Sequence, residues 1–117
     1  MGGKSSQRKG KAGELELMHI LRDTYGYDVK RGSVFNGTSD VIGLKGIHIE
    51  CKRQEMLNLR AAMTQAVQEA EKRNDGMPVV FHRKNNCEWM VSMQLPTFMD
   101  LYGAWNDEKE DSERTST

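Results

Sequence analysis

Residues 40–53 carry a clear folding signal, two strand-like segments separated by a tight turn through Lys45-Gly46. Such a pattern of branched apolar residues around a Gly-containing turn predicts a β-hairpin. Side chains alternate between the two faces of a strand, so the second segment has one apolar and one polar face. The apolar face carries Ile47, Ile49 and Cys51, and the polar face carries His48, Glu50 and Lys52.

Helical and strand-like periodicities alternate along the rest of the chain. The predicted helices are residues 12–25, 59–74 and 96–105, and the predicted strands outside the hairpin are residues 27–31, 79–83 and 88–93. Gly26 suits the end of the first helix, Asn58 the start of the second and Pro96 the first turn of the third. The resulting order, α-β-β-β-α-β-β-α, predicts an α/β fold with a mixed β-sheet flanked by helices.

The length of 117 residues suits one compact domain, which we expect to span residues 12–105. A formal net charge of zero hides a basic head and an acidic tail. Residues 1–11 contain four basic residues and no acid, whereas residues 106–117 contain five acidic and two basic residues. Both segments are rich in charge and small polar residues, so we expect both to be disordered.

Several classes of protein are not indicated by this composition. No apolar run is long enough to span a bilayer, and the basic head lacks the apolar run of a signal peptide. Cys51 and Cys87 have no metal-type spacing and suit a reducing compartment, and no Cys/His cluster suggests zinc. We therefore expect a cytoplasmic protein with no membrane partner and no small-molecule cofactor.

The hairpin register decides whether two acids meet. If the loop has three residues, Leu44-Lys45-Gly46, with Gly46 in the left-handed conformation, Asp40 falls directly opposite Glu50. Two acids facing each other across strands repel, and a divalent cation such as Mg²⁺ removes that penalty. A two-residue loop would instead place the acids on opposite faces, and the sequence does not choose between the two registers.

Glu14 lies on the apolar face of the first predicted helix, near Leu17 and Leu21 in angle and opposite Glu16. A carboxylate aimed at the sheet is costly without a partner. One interpretation is a third acid of the same site, and the other is a carboxylate placed favourably near the start of a helix dipole. Three acids around Mg²⁺ would activate water against a phosphodiester, and Lys52 would stabilise the developing charge.

Asp40 followed by Glu50-Cys51-Lys52 resembles the PD-(D/E)XK motif of restriction-endonuclease-like nucleases, with Ser39 in place of the proline. The order of motifs over roughly residues 8–102 is similar to that of archaeal-type Holliday junction resolvases and their small phage relatives. The matching segments are Lys9-Gly10 before Glu14, Arg31, Asp40-Val41-Ile42-Gly43, Ile49-Glu50-Cys51-Lys52, Pro78-Val79-Val80-Phe81 and Trp89.

The resemblance implies a homodimer that cuts branched DNA with Mg²⁺, for which Mn²⁺ substitutes, in the host cytoplasm if a phage encodes the chain. It implies that Glu14, Asp40, Glu50 and Lys52 are catalytic. The implied metal ligands are Glu14, Asp40, Glu50 and the backbone carbonyl of Cys51. Arg31 and Ser33 are implied near the path of the DNA phosphates.

Other residues have two interpretations each. Lys4, Arg8, Lys9 and Lys11 either contact DNA phosphates or only keep a tail soluble. The apolar stripe from Leu59 to Ala70 either packs in the core or takes part in a dimer interface. Gln65 lies off that stripe, either on the plain surface or near the site.

Three functions remain open at this point. The first is an endonuclease that resolves four-way junctions. The second is a nuclease of the same fold with another DNA substrate, of restriction, nicking or end-processing type. The third is a non-catalytic DNA-binding module, which the acidic residues argue against because carboxylates repel phosphate.

Overall fold

The computed structural model describes residues 3–32 and 40–115, and side chains within residues 10–32 and 40–114. In these ranges the helices are α1 (Gly3–His19), α2 (Leu59–Arg73) and α3 (Leu95–Thr115), and a π-helical turn (Ile20–Thr24) continues α1. The strands are β1 (Lys30–Arg31), β2 (Val41–Ile42), β3 (Ile47–Arg53), β4 (Met77–Arg83) and β5 (Met90–Met93). The predicted order of elements and the α/β fold class are confirmed.

The five strands form one mixed sheet in the order β1-β2-β3-β4-β5. All neighbours are antiparallel except β3 and β4, which are parallel and are connected by α2. Parallel neighbours need such a crossover, and a helix is its usual form. The central strand β3 therefore has a short hairpin partner on one side and a sequence-distant partner on the other.

The hairpin adopts the register that faces the two acids. Val41 pairs with Ile49, so the antiparallel register continues to Asp40 opposite Glu50. Gly46 has φ +84°, the left-handed conformation that the three-residue loop requires. The alternative two-residue loop is therefore excluded.

The sheet has a helix on each face. On one face Leu17 and Met18 of α1 and Leu21 of the π-helical turn pack against an apolar layer that includes Ile49 and Val79. On the other face α2 packs Ala62 and Ala66 against Val80. Small alanine side chains let α2 lie close to the sheet, so the interpretation of the Leu59–Ala70 stripe as core packing is confirmed for its alanines.

Within the described residues, α3 adds no side chain to either of these core clusters. Its large apolar side chains are exposed instead: Leu95, Phe98, Met99, Leu101, Tyr102 and Trp105. Phe98 and Tyr102 stack with ring centroids 6.2 Å apart, and the Tyr102 and Trp105 rings lie 5.6 Å apart. These residues form a continuous aromatic face on one helix, which we call the α3 aromatic face (Phe98, Tyr102, Trp105).

Parts of the two ends, which the sequence predicts to be disordered, are helical where the structure describes them. Helix α1 already begins at Gly3, and α3 continues to Thr115 instead of ending near Trp105. Charged compositions suit exposed helices as well as disorder, because Lys, Arg, Gln and Glu are good helix formers. In α3, contacts between residues one helical turn apart add support, as in Asn106–Glu110 at 3.3 Å and Arg114–Asp111 at 3.2 Å.

None of the helices in the described ranges combines the length and the apolarity needed to cross a membrane.

Candidate active site

An open cleft of about 540 Å³ lies between α1 and α2, beside the C-terminal half of β3. It is lined by residues from all three elements and from the segments before β2 and after β3: Gly10, Glu14, Asp40, Glu50, Cys51, Lys52, Arg53, Gln54, Glu55 and Gln65. The structure therefore brings together Glu14, Asp40, Glu50 and Lys52, the four residues predicted to be catalytic.

Asp40 and Glu50 form the acidic centre of this cleft. The backbone N–H of Cys51 donates to Asp40 Oδ2 at 2.9 Å, which holds Asp40 against β3. Burial and the adjacent charge of Glu50 raise the pKa of Asp40 from 3.8 to about 7, with a further contribution from Glu14. The Cys51 N–H opposes this shift but does not cancel it. Two acids are thus held close together although their charges repel.

Glu50 is buried, with 4% of its surface exposed, and its two oxygens face different cations or donors. Oε2 lies 4.0 Å from Lys52 Nζ, and Oε1 lies 3.5 Å from His48 Nε2. Lys52 is held in turn by Gln65 from α2, whose Oε1 accepts from Nζ at 3.0 Å. Gln65 therefore takes the site-lining position that was one of its two interpretations.

Glu14 reaches the cleft from α1, where Arg31 of β1 holds its carboxylate. The guanidinium donates from Nε to Glu14 Oε2 at 3.1 Å, and its second nitrogen lies 3.0 Å from the same oxygen. Glu14 is close enough for its charge to raise the pKa of Asp40. The structure thus favours the interpretation of Glu14 as part of an acidic site over that of a helix-start carboxylate.

Gly13 explains how α1 comes so close to β3. A Cβ atom added at Gly13 would lie 2.5 Å from Arg53 Cβ, closer than nonbonded carbon atoms approach. Only glycine lets the helix pass at this distance, and the next residue is Glu14. This packing requirement was missed in the sequence, where Gly13 sits inside a predicted helix and has no turn signal.

His48 shares the polar face of β3 with Glu50, but it is buried, with 1% of its surface exposed. Its Nδ1 lies 2.8 Å from Asp75 Oδ1, in the loop between α2 and β4. Burial opposes a charge on this ring, yet the contacts with Glu50 and Asp75 raise the pKa of His48 above its usual value. The partnership with Asp75 was not predicted, because 27 residues separate the two side chains.

The donor set fits a divalent cation in part. Among the described residues, no three His, Cys, Asp or Glu side chains form a preassembled metal centre. The Asp40–Glu50 pair nevertheless supplies hard carboxylate oxygens whose mutual repulsion a cation would relieve. Both contacts of Arg31 go to Oε2 of Glu14, so Glu14 could complete the site through its other oxygen or by exchanging the Arg31 contact.

The predicted DNA-binding residues are only partly described. Arg31 contacts Glu14, and Lys11 is exposed on α1. Lys4, Arg8 and Lys9 belong to α1, but their side chains lie outside the described residues, and Ser33 lies outside them altogether.

A second, larger cavity of about 690 Å³ lies in the described part of the chain, against the core side of α1. Its lining is mainly apolar, with Leu17, Leu21, Phe81 and Trp89 among the side chains. It holds no facing pair of acids, so the smaller acidic cleft is the better candidate for chemistry despite its size.

The fold has a solved counterpart. Over 71% of this chain and 70% of the other, it matches the 1.6 Å structure of Hjc, a Holliday junction resolvase from the archaeal hyperthermophile Archaeoglobus fulgidus, with a TM-score of 0.53. The chain has the fold of an archaeal Holliday junction resolvase. The predicted restriction-endonuclease-like resemblance is therefore confirmed at the level of the fold.

The likeness to the resolvase is structural rather than close in sequence, since the identity is 22%. No protein-family model matches the sequence, and no curated protein matches it either. The two proteins therefore share the architecture around the cleft, and the chemistry of the cleft depends on the residues of this chain.

Proposed function

We propose that this protein is a divalent-metal-dependent endonuclease that cuts branched DNA, with four-way (Holliday) junctions as its substrate. The observation that carries the proposal is the close pair of a half-buried Asp40 and a buried Glu50, in which the pKa of Asp40 is raised to about 7. Like charges held together at a cleft are costly for folding and typical of a site that binds a cation. The resolvase fold supports the same conclusion.

The proposed ligands of Mg²⁺ or Mn²⁺ are Asp40, Glu50, Glu14 and the backbone carbonyl of Cys51. Such an ion supplies Lewis-acid chemistry, lowering the pKa of a bound water and polarising the scissile phosphate. Lys52, close to Glu50 and held by Gln65, is positioned to stabilise negative charge on the phosphate. Arg31 would hold the Glu14 carboxylate in place beside the other acids.

DNA would approach along α1. Lys4, Arg8, Lys9 and Lys11 belong to the same helix as Glu14, and the helical rise places Lys4 about 15 Å from it along the axis. A basic helix leading to an acidic cleft would anchor the phosphate backbone while the acids engage a cation. Arg31 and Ser33 are proposed to lie beside the same phosphate path.

Paired cuts in a junction require two sites, and each chain has one such cleft in its described part. We propose a homodimer, whose two-fold axis would match the near two-fold symmetry of the junction. The α3 aromatic face supports this proposal, because three large rings stay exposed on one helix. The buried alanines of α2 leave the Leu59–Ala70 stripe little surface to offer a second copy.

The proposal is tested by incubating the full chain with a four-way junction, a flap, a nicked duplex and a linear duplex, with and without Mg²⁺. Wild-type protein should cut the junction only with the cation. Asp40→Asn and Glu50→Gln should lower the rate by about a thousandfold, since a bound cation contributes several kcal/mol to the transition state. Asp23→Asn, an exposed acid on the π-helical turn outside the cleft, is the matched control and should keep the wild-type rate.

The panel also separates the competing functions. Equal cutting of linear duplex and junction would favour a nuclease with another DNA substrate. DNA binding with no cleavage of any substrate, together with no heat of Mg²⁺ binding by calorimetry, would favour a non-catalytic DNA-binding module.

A further inference from the structure

His48 connects the interior of the protein to the acidic centre through both nitrogens of its ring. Nδ1 lies 2.8 Å from Asp75 Oδ1, and Nε2 lies 3.5 Å from Glu50 Oε1. The ring is almost completely buried, at 1% exposure, between β3 and the loop that follows α2. Buried polar rings in such positions are oriented by the hydrogen bonds that they make.

Asp75 is placed for this contact by the backbone around it. The preceding residue, Asn74, ends α2 in the left-handed conformation with φ 50° and ψ 47°, which turns the chain sharply towards β4. Asp75 Oδ1 then contacts His48, while 29% of the Asp75 side chain stays exposed. The loop thus anchors a ring that lies under the active site.

The consequence appears at Glu50, whose carboxylate oxygens have different surroundings. Oε1 faces His48, and Oε2 faces Lys52 at the cleft. The His48 ring at 3.5 Å from Oε1 restricts the rotation of the Glu50 carboxylate about its terminal bond, which would favour one direction for Oε2. Groups that orient a metal ligand in this way raise metal affinity without touching the metal.

We propose that His48, anchored by Asp75, is a positioning residue that presents Glu50 Oε2 to a divalent cation. This inference rests on the proposed function, because it takes Glu50 as a ligand. It goes beyond that function by assigning a role to a β3 residue and a loop residue outside the predicted catalytic set. The simpler view is that His48 only fills space between β3 and α2.

The experiment measures the binding of Mn²⁺ to the full chain by calorimetry in the absence of DNA, and the free energy of unfolding of each variant by urea titration. His48→Phe keeps the volume of the ring and removes both nitrogens. His48→Gln keeps one donor, and Asp75→Asn keeps the shape of the anchor at a partly exposed position. Glu16→Gln removes an acid that pairs with Arg53 and Arg83 and does not itself line the cleft, and it serves as a structural control.

We expect His48→Phe to weaken Mn²⁺ affinity by about tenfold to a hundredfold, the range seen when partners of metal ligands are removed. Asp75→Asn should weaken it less, and His48→Gln should recover part of the loss. Glu16→Gln should lower stability and leave Mn²⁺ affinity unchanged. In the His48 variants, the Mg²⁺ concentration needed for half-maximal cleavage should rise. The cleavage rate at saturating Mg²⁺ should fall by a smaller factor.

Wild-type Mn²⁺ affinity in folded His48→Phe and Asp75→Asn would overturn the inference and leave the proposed function intact. If His48→Phe fails to fold, the Mn²⁺ affinities of His48→Gln and Asp75→Asn test the inference in the same way. A wild-type protein that binds no Mn²⁺ and cuts no DNA would overturn both the proposed function and the inference.

Discussion

Asp40 and Glu50 lie opposite each other in neighbouring segments although each would be more stable far from the other. The N–H of Cys51 holds Asp40 in place, and Glu50 is fixed in the buried part of β3. The neutral thiol of Cys51 adds no charge, because burial and the surrounding carboxylates raise its pKa. The charge repulsion is confined to this one pair of acids, and an added cation would relieve it.

The raised pKa of Asp40 predicts that the free energy of unfolding depends on pH. The pKa of Asp40 is about 7 in the folded chain against 3.8 ordinarily, so between these values the folded state holds a proton that the unfolded state has lost. The free energy of unfolding contributed by Asp40 should therefore fall as pH rises from about 4 to 7. Asp40→Asn should remove this part of the slope, measured by urea titration without divalent cations.

Added Mg²⁺ should favour the ionised Asp40 carboxylate, so the loss of stability between pH 4 and 7 should become smaller. This gives a second check of the raised pKa of Asp40. A stability difference between wild type and Asp40→Asn that does not vary from pH 4 to 7 would contradict the raised pKa. Because the two acids repel, removal of the Glu50 charge would by itself leave stability unchanged or raise it slightly. The contact with buried His48 now makes Glu50→Gln the more disruptive of the two amide substitutions.

At the level of elements, the position of α1 over β3 depends on one missing side chain. Gly13→Ala would force Cβ to within 2.5 Å of Arg53 Cβ, and the helix would have to move away. We expect a loss of about 1–3 kcal/mol in the free energy of unfolding, as for other overpacked contacts. Cleavage should fall further than stability explains, because Glu14 moves with the helix.

Gly10→Ala is the matched control for stability. It lies in the same helix with nothing within 4 Å of an added Cβ, so it should stabilise α1 by about 0.5–1 kcal/mol. Equal effects of the two substitutions on stability would show that α1 does not pack on β3 as described.

The basic part of α1 makes a separate prediction about binding. Deleting residues 1–9 removes Lys4, Arg8 and Lys9, so DNA binding should weaken and depend less on salt. Because these three side chains would no longer neutralise phosphates, the slope of log affinity against log salt should become shallower by about 2 to 3. Deleting residues 106–117, an acidic segment, should not flatten the slope, and unchanged slopes for both deletions would remove α1 from the DNA-binding surface.

For the whole molecule, the α3 aromatic face is the surface that a second copy would cover. We expect wild-type protein to sediment as a dimer, and Tyr102→Ala combined with Trp105→Ala to sediment as a monomer with unchanged helix content. Met56→Ala, at 93% exposure the most exposed of the large apolar residues described, is the control and should stay dimeric. A monomeric wild type would contradict paired cleavage by two copies.

Much of this architecture was predictable because its signals are local. The strand from Ile47 to Arg53 was predicted to the residue, whereas the sequence left two hairpin registers open and the structure selects the one that pairs the acids. Contacts between distant segments left no such signal, which is why the Arg31–Glu14 and His48–Asp75 pairs were missed. The helices near the two ends of the chain were not predicted, because an exposed helix and a disordered segment can have the same amino-acid composition.

The parallel pairing of β3 with β4 also determines when the site can exist. Glu14, Asp40, Glu50 and Lys52 all precede α2, yet β3 lacks its longest neighbour until Met77–Arg83 has been added. A ribosome releases the chain from its N-terminus, so the acids emerge well before the strand that completes the sheet. Nascent chains thus hold every acid of the cleft without assembling it, and the proposed cutting activity would arise only after β4 has been added.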